Sequence, residues 1–123
     1  MNASTLAQAA YASSTAPIRT ERSTEYDIFA RITQKLKNIN PKNNYSGFVT
    51  ALHENRQLWS LLAVDVADAG NKLAPQLRAQ IFYLAEFTSL HTSKILAGEA
   101  EVQDLVEINT SIMRGLNNPG AQR

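Results

Sequence analysis

The sequence predicts an all-α protein: a single compact helical domain of four main helices, preceded by a short N-terminal one. Three observations carry this reading. Apolar residues recur every three or four positions in each long segment, no segment alternates with the two-residue period of a half-buried strand, and Pro, Gly and Asn clusters separate the periodic stretches. With 123 residues, 44% of them hydrophobic, and only five Gly and four Pro, the chain is long enough to bury one core and too short for two.

The elements follow in order. STLAQAAYA, from Ser4, can form a short helix with Leu6, Ala9 and Ala10 on one side, marginal by itself. A linker rich in Ser, Thr and Arg follows, so residues 1–22 are read as short helix plus linker, and Ser23 or Thr24 can accept the free amides of the next helix start. Beyond Thr24, Ile28, Phe29, Ile32, Leu36 and Ile39 share one stripe opposite Arg31, Lys35 and Asn38, until Pro41 stops the pattern.

The next helix is expected from about Asn44 to Ala69, with Gly70-Asn71 as its stop. Its stripe is Phe48, Leu52, Asn55, Trp59, Leu62 and Val66; Leu58 and Leu61 widen it and Val64 lies on the far face, so this helix should be central. Pro75 opens the following helix at a position where a missing N–H costs nothing, and Gly98 closes it. That helix has two apolar stripes: Leu77, Ile81, Leu84, Thr88, His91 and Ile95, and, about a quarter-turn away, Tyr83, Phe87 and Leu90. The last helix, from about Ala100 to Leu116, carries Val102, Leu105, Val106, Asn109, Ile112, Met113 and Leu116 on one face, and residues 117–123 read as a frayed tail.

Catalytic chemistry finds little support in these residues. His53-Glu54 opens like the HExxH helix of a zinc protease, but position 57, where the second His belongs, holds Gln57. His53 and His91 are the only histidines and there is no cysteine, so neither a metal set nor a thiolate nucleophile can be assembled. No Ser stands in a G-x-S-x-G elbow, and Asp65 and Asp68 read as ordinary carboxylates of a solvated helix end. The chain is therefore expected to be non-enzymatic and to need no cofactor.

Net charge is +1, with seven basic against four acidic residues through Gln57 and five against seven after it. That balance does not call for direct nucleic-acid binding; the mildly basic first half, with Arg19, Arg22, Arg31 and Lys35, is the sole support for an RNA-binding alternative and a candidate second contact surface. The absence of a basic-then-apolar leader or a long apolar run gives the expectation of a cytoplasmic protein without membrane insertion.

A helix with more apolar face than its own core needs points to protein binding. IFYLAEF, residues 81–87, has this character: Ile81 and Leu84 can pack inward while Tyr83 and Phe87 face elsewhere, unless the bundle buries both faces itself. Asn55 and Asn109, each in the middle of an apolar stripe, either bond across the core or lie where a binding groove opens.

RSTEYDIFARIT (22–33), ALHENRQLWSLLAVDVAD (51–68), LRAQIFYLAEFTSLH (77–91) and LVEINTSIMRGL (105–116), in this order and spacing, closely resemble the flagellar biosynthesis regulator family FlaF of alphaproteobacteria. The resemblance implies a small helical cytoplasmic protein required for flagellin synthesis and filament assembly, acting with the messenger regulator FlbT and binding flagellin in the manner of a secretion chaperone. Flagellin's terminal segments become helical in the assembled filament and are apolar and unprotected before export, so a spare apolar groove suits them. Joining this to the residue patterns gives a candidate groove of Tyr83, Phe87, Leu90, Trp59 and Asn55 on the two central helices.

Overall fold

The computed structural model describes residues 21–116, which form four helices: α1 (Glu21–Asn38), α2 (Tyr45–Ala67), α3 (Pro75–Leu96) and α4 (Val102–Leu116). No strand forms among the described residues, in keeping with the all-α expectation. The short N-terminal helix and the tail at 117–123 lie outside them. α2 packs most extensively on α3, and α1 on α4, while α1–α2 and α3–α4 contacts close the ring. Neighbours run antiparallel, as the pairs Lys35–Glu54 and Phe29–Trp59, Arg56–Ser93 and Arg78–Val66, and the approach of Leu77 to Gly115 all require.

The predicted stripes supply the core, although on α3 Leu77, Leu84 and His91 are only half-buried and Ala85 and Thr92 turn inward as well. Phe29, Ile32 and Leu36 of α1, Phe48, Leu52, Trp59, Leu62 and Val66 of α2, Ile81 and Ile95 of α3, and Leu105, Val106, Ile112 and Leu116 of α4 meet in one core. Two helix ends differ from expectation. α1 begins at Glu21, so Ser23 and Thr24 lie within the helix instead of capping it, and the last residues of the predicted linker are helical.

α2 ends at Ala67, two residues early, and not on a left-handed glycine: Gly98 is the only positive-φ residue among those described. The stop is shared between the expected Gly70-Asn71 pair, where Asn71 Nδ2 donates to Asp65 O (3.3 Å) and the Gly70 N–H to Asp68 Oδ1 (3.0 Å), and another helix. Arg78 of α3 donates from Nε and Nη2 to the Val66 carbonyl (3.0 and 2.9 Å) and from Nη2 to the Asp68 carbonyl (2.9 Å), occupying acceptors that a further turn would have needed.

The remaining caps are local. Asn44 Oδ1 accepts from the Gly47 N–H at 3.0 Å, and a Cβ at Gly47 would stand 2.4 Å from Asn44 Nδ2, so glycine leaves the cap its room. At the end of α3, Gly98 takes φ +78°, which lets its N–H reach Ile95 O (3.0 Å) and the Glu99 N–H reach Lys94 O (2.8 Å), a Schellman closure.

Inside the ring, a polar network ties three helices together. The Trp59 Nε1–H donates to Asn109 Oδ1 at 2.9 Å, and Asn109 Nδ2 donates to Asn55 Oδ1 (2.8 Å) and Thr33 Oγ1 (3.1 Å). All four side chains are buried, and Phe29 meets the Trp59 ring edge-on at 5.6 Å. The bonds cross from α2 to α4 and from α4 to α1, so Asn55 and Asn109 act as cross-core ties.

Replacing Asn109 by Ala strands an indole N–H, an amide oxygen and a hydroxyl in the core, and chemical denaturation should register a loss of about 3 kcal/mol or more. Arg78→Ala uncaps α2 across the bundle and should cost about 1–2 kcal/mol in the same assay.

Candidate functional site

The orientation of α3 decides which of its two stripes is the core face. Ile81, Ala85, Thr88, Thr92 and Ile95 are buried against the bundle. Thr88 donates its hydroxyl to Leu84 O, and Thr92 donates to Thr88 O at 2.7 Å, so each threonine is satisfied within its own helix and needs no partner across the core.

The other stripe points outward. Tyr83 and Leu90 are 67% and 69% exposed, and Phe82 and Phe87, 48% and 38% exposed, flank them on the α2 and α4 sides. None of these four appears in the buried core, so the bundle does not absorb both stripes. The four side chains stand on the outward side of a single helix.

A shallow groove lies on each side of this ridge. Between α2 and α3, about 500 Å³ is lined by Val66, Ala67, Pro75, Ala79, Phe82 and Tyr83, with Arg78 and Glu86 as its charged members. Between α3 and α4, about 420 Å³ lies over Leu84 and Ile108 and is walled by Phe87, His91, Asp104 and Glu107. His91 is held from two directions there: its ring stacks on Phe87 at 5.1 Å, nearly parallel, and its Nε2 lies 2.7 Å from Asp104 Oδ2.

The candidate groove predicted from sequence is thus only partly assembled. Tyr83, Phe87 and Leu90 share one exposed face. Trp59 and Asn55 do not belong to it: both are buried in the interior network, where the indole N–H and the amide oxygen are already engaged. A large aromatic residue on the central stripe is pulled inward by the same burial that makes it attractive as a binding anchor.

Phe82 and the carboxylates of Asp104 and Glu107 join the exposed surface without having been singled out. Phe82 was legible within IFYLAEF, next to Tyr83, but the α4 carboxylates become neighbours of Phe87 solely through the packing of α3 on α4. Of the candidate second surface, Arg19 lies outside the described residues and the side chain of Arg22 is likewise undescribed. Arg31 is exposed, and Lys35 is engaged by Glu54 at 3.0 Å on the α1–α2 seam. Arg31 and Lys35 sit on α1, diagonal to α3 in the ring.

Metal chemistry gains nothing from the fold: among the described residues no group of three or more His, Asp or Glu side chains is placed to hold an ion. His53 is exposed on the outer side of α2. No helix among the described residues is long and apolar enough to cross a membrane.

A family model described as flagellar protein FlaF matches residues 7–116. The chain belongs to the FlaF family. Neither a curated protein nor a solved structure gives a significant match. The FlaF match takes in all four helices, so the α3 ridge and both its grooves lie within the family's shared region, and membership makes this a flagellar protein.

If the ridge is surface and not core, Tyr83→Ser and Leu90→Ser should each alter unfolding free energy by no more than about 0.5 kcal/mol. Ile81→Ala, on the opposite side of the same helix, should cost about 2–5 kcal/mol in urea titration.

Proposed function

We propose that this FlaF protein binds flagellin before export as a chaperone-like adaptor, and that with an FlbT-type regulator it couples flagellin synthesis to filament assembly. The reading places it in the cytoplasm and assigns it no catalysis and no cofactor. The observation that carries it is the outward face of α3, where Tyr83, Leu90, Phe82 and Phe87 present apolar surface that the bundle itself leaves uncovered.

An unassembled flagellin terminus has the matching requirement. It is apolar, becomes helical only against a partner, and must be kept from premature polymerisation. Docked along α3, it gains a helical neighbour without catalysis of any kind, and large aromatic anchors supply most of the affinity. Coupling to synthesis then follows by occupancy: bound flagellin withholds the protein from its other contacts, and export releases it.

A second contact is needed for such a circuit, and the exposed part of α1 around Arg31 is available for an FlbT-type partner on the far side of the ring from α3. Direct binding of the flagellin messenger finds less support. The exposed face is apolar and its α4 margin carries Asp104 and Glu107, which repel phosphate.

The test is calorimetric titration of flagellin into wild type and into Tyr83→Ala, Phe87→Ala and Leu90→Ala variants whose thermal unfolding is unchanged. Each substitution should weaken binding by about ten-fold, in the range of interface anchor residues. Undiminished affinity in the triple variant would discard the proposal.

A further inference from the structure

The α3–α4 groove has a chemistry of its own. Leu84 and Ile108 floor it, Phe87 and His91 form a wall fixed by their ring stacking, and Asp104 and Glu107 stand on the α4 side with no Lys or Arg in the lining. The chain as a whole carries +1, so this acidity is local to the groove. The companion groove between α2 and α3 is balanced, with Arg78 and Glu86, and its arginine is already committed to α2 carbonyls.

We infer that the α3–α4 groove receives an amphipathic helix whose apolar stripe is flanked on one side by lysine or arginine. The inference rests on the reading of α3 as a partner-binding face and specifies the chemistry of what binds. A furrow between two antiparallel helices is shaped to take the side-chain ridge of a third. Its apolar floor accepts the stripe, and the α4 side selects the flank: Asp104 is engaged by His91 at 2.7 Å, so a basic edge pairs chiefly with Glu107, while an acidic edge meets like charge.

Two other occupants fit less well. A second copy packed about a two-fold axis sets the same patch against itself, bringing Asp104 and Glu107 into the neighbourhood of their own symmetry mates. The chain's own segment 4–12, STLAQAAYA, carries no charged residue to pair with them.

The experiment uses the full chain and two synthetic helical peptides of about eighteen residues, long enough for five turns, that share one leucine stripe and differ in having Lys or Glu beside it. Fluorescence anisotropy should give the Lys peptide about three-fold higher affinity, the scale of one surface ion pair, with the preference shrinking as salt rises. Glu107→Lys should erase or invert that preference, whereas Glu86→Lys, on the other groove, should leave it intact.

Equal affinities, no binding of either peptide, or sensitivity to Glu86→Lys in place of Glu107→Lys would overturn the assignment. So would a dimer abolished by Phe87→Ala, which gives the groove to a second copy, or displacement of the Lys peptide by a peptide of residues 1–20, which gives it to the chain's own N-terminus. Flagellin titrated in parallel keeps the two levels apart. Flagellin binding indifferent to Glu107→Lys removes the charge rule and leaves the flagellin reading standing, while peptide discrimination without flagellin binding does the reverse.

Discussion

An indole N–H can donate a hydrogen bond and cannot accept one, and the interior of this bundle is oriented by that asymmetry. Trp59 requires an oxygen, so Asn109 must turn Oδ1 toward it. Asn109 then has its amino group left to give, which goes to Asn55 Oδ1 and Thr33 Oγ1. One donor-only group on α2 thereby sets the side-chain orientation of partners on α4, α2 and α1. A one-residue slip of any of these helices would turn its polar member about 100° away from the others, so the network penalises every register but one.

Because that network occupies α1, α2 and α4, the remaining helix, α3, is free of it. α3 fills its side of the core with Ile81, Ala85 and Ile95 and with threonines that are bonded to their own backbone. Its inward face therefore demands volume and its outward face demands nothing from the fold, which leaves Tyr83, Phe87 and Leu90 available to something else. The division of labour between a tied interior and an unclaimed exterior on α3 is the structural basis for reading the protein as a binder, and FlaF membership supplies the flagellar setting.

Much of this was legible in the chain. Four helices and their buried stripes follow from three-and-four spacing because burial of apolar side chains dominates element formation. Asn55 and Asn109 stood out as polar residues in apolar company, yet that Asn109 joins both Trp59 and Asn55 could not be read, since those bonds link positions 50 and 54 residues apart through the ring order. The end of α2 was legible in part for a related reason: the Gly-Asn pair does supply a local stop, with Asn71 Nδ2 on Asp65 O, whereas the arginine that caps the neighbouring carbonyls comes from the next helix. At the site, the second stripe of α3 was visible as an excess of apolar surface, but which stripe turns inward depends on neighbours. Trp59 shows the same ambiguity from the other side, being large enough to anchor either a core or an interface.

Several bonds hold α3 to its neighbours from the edges of the helix: Arg56 to Ser89 and Ser93, Arg78 to Val66 and Asp68, and His91 to Asp104. Sliding α3 along its axis by an ångström or so would strain these edge contacts, whose donors and acceptors water can replace, and would leave the central amide network untouched. The helix that carries the exposed ridge is thus held by apolar burial and peripheral bonds, apart from the central network.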